Sequence, residues 1–212
     1  MKRKTDSLLA ILGGQPVIPV LLIDDLKDAV PLARALSRGG LPAIEITLRT
    51  SAAIDAIRLV AADVPEAIVG AGTVLNPRQY DEAVEAGAKF LVSPGTTMEL
   101  LREAEGGEIP YLPGAATPSE VMSLSEEGYS IMKFFPAEQA GGAAFLKALA
   151  SPFAGVSFCP TGGIGPANVS DYLGLPNVIC VGGSWVAPKE LVRAGDWSAI
   201  TGLAAEAVAR RS

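Results

Sequence analysis

A lysine set inside an apolar run is the residue of this sequence whose surroundings most invite chemistry. Lys133 lies within Y-S-I-M-K-F-F-P, Tyr129 to Pro136, a stretch otherwise fit for burial. Read as a strand, the run alternates, so Ile131, Lys133 and Phe135 share one face while Met132 and Phe134 share the other. Lysine is rarely buried without a partner, and desolvation disfavours its charged form. Held there, it would offer a nucleophilic amine suited to forming an imine with a carbonyl substrate. The plainer alternative is an edge-strand lysine whose stem lies on apolar surface with its head in water.

A second strand-like run, Ala43 to Leu48, is followed by Arg49 and places Glu45, Thr47 and Arg49 on one face, with Ile44, Ile46 and Leu48 on the other. Two opposite charges then point the same way, either to serve chemistry or simply to pair a buried carboxylate. G-A-G-T-V, Gly70 to Val74, allows close backbone approach and offers the Thr73 hydroxyl at a strand end. S-P-G at Ser93 to Gly95 and L-P-G at Leu112 to Gly114 read equally well as turn chemistry. P-T-G-G at Pro160 to Gly163 and V-G-G-S at Val181 to Ser184 place paired glycines after the last two strands. Each could be an ordinary turn, but two at adjacent strand ends favour a phosphate site built from backbone N–H groups, with Ser184 as a further hydroxyl.

Composition narrows what these residues could do. The sequence has 212 residues, 49% hydrophobic and 19% charged, which fits a single soluble domain over 1–212. A net charge of -6 argues against a broad surface for nucleic acid or an anionic membrane, and leaves room for one local anion site. The absence of histidine removes Ser-His and Cys-His triads, the usual imidazole base and the commonest zinc ligand. Cys159 and Cys180 sit in strand-like runs without CxxC spacing, so buried thiols are expected rather than a disulfide or a metal site. No signal peptide or membrane span is visible, and a cytoplasmic protein is expected.

The elements that must position these groups repeat regularly. Strand candidates cover Val17 to Ile23, Ala43 to Leu48, Ala67 to Val74, Phe90 to Ser93, Ile109 to Leu112, Tyr129 to Phe135, Val156 to Pro160 and Val178 to Val181. Helix candidates open near Asp24, Ser51, Asn76, Thr96, Thr117, Gly141, Gly165 and Pro188. Asn76-Pro77 and Thr117-Pro118 put a capping side chain before a proline at the first helical position. Apolar strands alternating with helices predict parallel strands covered by helices. Eight repeats predict an α/β single-domain (β/α)8 TIM barrel, with an extra N-terminal helix at Leu8 to Leu12, and function at the strand C-termini. A doubly wound open sheet is the alternative.

Five blocks together become recognisable: E-I-T-L-R (Glu45 to Arg49), G-A-G-T-V-L (Gly70 to Leu75), K-F-F-P-A-E (Lys133 to Glu138), F-C-P-T-G-G-I (Phe158 to Ile164) and G-G-S-W (Gly182 to Trp185). In order and spacing, over nearly the whole chain, they resemble the 2-keto-3-deoxy-6-phosphogluconate (KDPG) aldolase family. The resemblance implies a class I aldolase of the Entner–Doudoroff pathway, often also active on 4-hydroxy-2-oxoglutarate. It implies a phosphorylated 2-keto acid as substrate, no cofactor, and a homotrimer of barrels. It further implies Lys133 as the Schiff-base lysine, Glu45 as the general acid–base, and Arg49 and Thr73 as contacts to the pyruvate carboxylate. Gly162, Gly163, Gly183 and Ser184 match the phosphate region, and Pro94, Phe135 and Thr161 are expected to line the substrate pocket. Two other classes fit parts of the pattern, a non-catalytic barrel binding a phosphorylated ligand and a phosphosugar isomerase or epimerase. Neither has a use for an imine.

Overall fold

Helix α1, Lys2–Gly13, turns Leu8 and Leu12 inward, where they are buried against Ile18, Phe90, Ile131 and both cysteines. The computed structural model describes residues 2–210. Just after α1, the buried Gln15 side chain binds the backbone of Val17 and both backbone groups of Ala43, fixing the starts of the first two strands. The extra helix predicted at Leu8 to Leu12 is thus present, and it closes the N-terminal end of the strands.

Strand and helix then alternate. β1 is Val17–Leu21, α2 Ala29–Arg38, β2 Ala43–Thr47, α3 Ala53–Asp63, β3 Ile68–Gly72, α4 Pro77–Glu85, β4 Leu91–Val92 and α5 Met98–Gly106. β5 is Tyr111–Leu112, β6 Gly114–Ala115, α6 Pro118–Glu126, β7 Ile131–Phe134, α7 Gly142–Leu149, β8 Ser157–Pro160 and α8 Val169–Leu173. β9, Val181–Gly183, is followed by α9, Lys189–Ala194, and α10, Trp197–Ala209. The result is an α/β fold with a curled, parallel six-stranded sheet in the order β5-β4-β3-β2-β1-β9, and a three-stranded parallel sheet β6-β7-β8. Isolated parallel bridges, Phe158 with Val178 and Thr161 with Gly182, join β8 to the segment of β9.

All eight predicted strand runs contain or adjoin a strand, but two differ in detail. The fifth, Ile109 to Leu112, holds β5, and a further strand that was not predicted, β6, follows it after Pro113, which has no N–H to give the ladder, although its carbonyl still accepts from the Lys133 N–H at 2.8 Å. The last shifts toward Gly182 and Gly183, which read as loop yet pair with Ile18 and Pro19 of β1. Among the helices, Asn76 caps α4, and Thr117 with Glu120 forms a reciprocal capping box on α6. The helix expected near Asp24 begins as a 3-10 turn, Leu26–Asp28, capped by Asp25. α10 has no counterpart among the predicted helices. It packs on α2 because Gly39 lets the two approach: a Cβ there would collide with Ala204.

The main core fills the space between sheet and helices, and a smaller one fills the interior under α1. Cys159 and Cys180 lie in the smaller core as buried thiols not joined in a disulfide, their sulfurs 3.5 Å apart. Among the described residues no helix is long and apolar enough to cross a membrane.

Candidate active site

The alternation of β2 sends Glu45 inward, where it is 3% exposed. Room for its carboxylate comes from β3, whose register sets Gly72 opposite Thr47, next to Glu45: a Cβ on Gly72 would land on Glu45 Oε1. The glycine of G-A-G is thus the space that the carboxylate fills. From β7, Lys133 points into the same interior and is 4% exposed, with Nζ 3.3 Å from Glu45 Oε1 and 5.5 Å above the Phe135 ring. β7 is the central strand of its sheet, so the edge-strand alternative for Lys133 does not hold. Nor does Glu45 pair with Arg49, since its partner is the lysine.

Arg49 corrects the expected strand geometry. β2 stops at Thr47, and Leu48 and Arg49 form a turn, because the Leu48 N–H bonds Gly72 O and the Arg49 N–H folds back on Thr47 O. The arginine is exposed rather than inward-facing, and reaches the site from its rim. Its Nε donates to Thr47 Oγ1 at 3.0 Å, and that hydroxyl in turn donates to Leu21 O at 2.8 Å. Thr73 follows β3 with φ of 60°, the left-handed region, which costs a threonine about 1–3 kcal/mol and is held only where the surroundings demand it.

The glycine loop after β8 has a definite polarity. Gly162 and Gly163 have φ of 107° and 75°, and the carbonyls of Thr161, Gly162 and Gly163 accept from Ala137 N–H, Glu138 N–H and Asn168 Nδ2. The N–H groups of Gly163 and Ile164 have no partner among the described residues. Backbone donors presented side by side with their carbonyls turned away make an anion-binding nest. The Thr161 hydroxyl is buried without a partner among the described residues, in space that a side chain at position 182 would fill. Gly183 owes its identity to a different neighbour, because a Cβ there would run into the Trp185 ring.

These groups surround one cavity of about 330 Å³. Glu45, Lys133, Arg49 and Thr73 line it, as do Pro94, Phe135 and Thr161, and so do Gly162, Gly163, Gly183 and Ser184. The structure therefore brings every predicted site residue together. It adds Val20, Thr47, Ile164 and Gly182. Of these, Thr47 already shares the period-two face of Glu45 in the sequence. A wider cavity of about 670 Å³ adjoins it across Val20, Arg49 and Ser184. Chemically, the arrangement offers a buried amine beside a carboxylate, a guanidinium at the rim, and an anion nest at the far wall.

The family model described as aldolase, KDPG and KHG aldolase, matches residues 9–203. The KHG/KDPG aldolase of Escherichia coli (strain K12) is 54% identical over 208 residues, covering 98% of each chain. The chain belongs to the KDPG and KHG aldolase family. It is therefore a carbon–carbon lyase, which sets aside the isomerase and the non-catalytic binding barrel. Among solved aldolases of the family, the Legionella pneumophila KDPG aldolase superposes with a TM-score of 0.93 at 48% identity, over 94% of this chain and 97% of that one; it holds pyruvate as a covalent carbinolamine. The Zymomonas mobilis ZM4 aldolase, solved with 3-phosphoglycerate, gives a TM-score of 0.91 at 47% identity, over 97% and 96% of the two chains.

Proposed function

We propose that this chain is a Schiff-base aldolase of the Entner–Doudoroff pathway. It cleaves KDPG to pyruvate and glyceraldehyde 3-phosphate, and 4-hydroxy-2-oxoglutarate to pyruvate and glyoxylate. The observation that carries the reading is the Lys133 amine, buried and 3.3 Å from the Glu45 carboxylate, in a cavity that ends on a backbone anion nest.

The substrate carboxylate lies against Arg49, whose fork suits bidentate pairing, with Thr73 as a further donor. Glu45, within hydrogen-bond reach, accepts the proton that the Lys133 ammonium must lose. The free amine attacks the C2 ketone, and Glu45 hands that proton to the carbinolamine hydroxyl, which leaves as water to give a cationic imine and returns Glu45 to its carboxylate form. Glu45 then takes the C4 hydroxyl proton. The C3–C4 bond breaks, the C4 oxygen becomes the aldehyde, and the bond's electrons pass into an enamine that neutralises the imine nitrogen. Return of a proton to C3 and hydrolysis release pyruvate and the amine. The iminium is itself the electron sink, so no cofactor is called for. Pro94, Phe135 and Thr161 wall the pocket between the two substrate ends. The phosphate is received by the glycine nest, Gly183 and Ser184.

Borohydride in the presence of pyruvate tests this reading: peptide mapping should find the reduced adduct on Lys133, and an unmodified protein would refute it. Gly163→Val tests the nest. The added side chain would meet Glu138 Cγ at 2.6 Å, in a backbone conformation that suits only glycine. Loss of charge-assisted bonds to phosphate should raise KM for KDPG about 10- to 100-fold, against a small effect on 4-hydroxy-2-oxoglutarate, which has no phosphate. Equal losses on both would mean general damage.

The two sheets are read as one closed (β/α)8 barrel over 1–212, supported by the bridges between β8 and β9 and by the single residue, Pro113, that separates β5 from β6. The reading extends to three barrels associating, in the cytoplasm; Leu75, Met98 and Met122, large apolar side chains each more than half exposed, offer apolar surface for such an association. Sedimentation at micromolar concentration should give a trimer, and a monomer there would refute it.

A further inference from the structure

We infer that Tyr172 and Glu138 form a positioning pair that sets the Gly162–Gly163 turn for the substrate's phosphate. The inference rests on the reading of that turn as the phosphate site, and names what holds it in shape.

Glu138 lies just beyond β7, five positions after Lys133. Its backbone N–H donates to Gly162 O at 3.1 Å, and its Cβ and Cγ occupy the space beside Gly163, 2.8 and 2.6 Å from where a Cβ would stand. The turn thus rests against Glu138 through both glycines. Such contact brings a carboxylate close to an anion nest, where it would repel a phosphate if it swung toward it. The Tyr172 hydroxyl, from α8, donates to Glu138 Oε1 and ties that carboxylate down. Tyr172 is a fixed anchor, since its ring is 1% exposed within the main core. Burial first, and the Glu138 carboxylate second, push the ionisation of the Tyr172 hydroxyl well above its usual range, so it keeps the proton that it donates. Asn168 completes the frame, bridging Gly163 O and Gly165 N–H.

The pair touches no reacting atom, so its loss should register on phosphate recognition alone. Tyr172→Phe keeps the ring and removes the donor. KM for KDPG, and the inorganic phosphate concentration that half-inhibits the enzyme, should both rise about tenfold. Exchange of pyruvate methyl protons with deuterium needs Lys133 and Glu45 but no phosphate, and should stay within about twofold. Glu138→Gln retains an acceptor for Tyr172 and should keep KM near that of the parent protein, while Glu138→Ala, which removes the Cγ packed beside Gly163, should raise KM in the same direction as Tyr172→Phe. Unchanged KM and phosphate inhibition in Tyr172→Phe, or equal loss of KDPG binding and pyruvate exchange, would overturn the inference. Should Tyr172→Phe fail to fold, Glu138→Ala decides on the same readouts. A selective Gly163→Val with an unselective Tyr172→Phe removes the pair and leaves the phosphate site standing. An unselective Gly163→Val removes the phosphate site itself.

Discussion

Lys133→Ala should be a folded protein with no aldolase activity, its turnover lower by roughly 10⁴ or more, because no other lysine lines the cavity that holds Glu45. Pyruvate and borohydride should add no mass to it. The exposed Lys89 and Lys147 serve as internal controls in the parent protein, where only Lys133 should be modified. The substitution also strands Glu45 as a buried carboxylate, and breaking a pair whose side chains are 6% and 4% exposed costs about 3–5 kcal/mol. A lowered Tm is therefore part of the expected result. Residual turnover with an adduct on another lysine would sink the assignment.

Glu45→Gln separates the proton carrier from the nucleophile. The amide fits the space that Gly72 leaves and still lies beside Lys133, but it takes up no proton. Cleavage should fall by roughly 10²–10⁴, the usual contribution of general acid–base catalysis. Pyruvate should remain trappable on Lys133, at a slower rate, since loss of water from the carbinolamine also needs proton transfer. Full cleavage activity in this variant would show that another group moves the proton.

Strand alternation is what made the site readable. A period of two puts Glu45 and Lys133 on inward faces without any tertiary information, and the glycine pairs near the ends of the last two strands marked one wall of the cavity. Alternation names a face and no partner, so the ion pair across 88 positions, rather than one between Glu45 and Arg49, needed the fold. It also fails once a strand ends, which is why Arg49 was expected to point inward and instead sits on a turn. The left-handed Thr73 is imposed by its surroundings and leaves no local signal, since threonine rarely adopts that conformation. α10 was missed for a related reason: its place depends on the close approach at Gly39, a contact between distant segments.

The empty side of β3 has a consequence for how this sequence can vary. Gly72 and the Glu45 carboxylate share one volume, so the two positions are a single unit of inheritance. An alanine at 72 is harmful while Glu45 is present and should be tolerated once residue 45 is small, which is sign epistasis written into strand register. A double-mutant cycle of Gly72→Ala and Glu45→Ala on folding stability reads that coupling directly, and additive effects would refute it. Drift at position 72 is thus closed to the chain for as long as it keeps its acid.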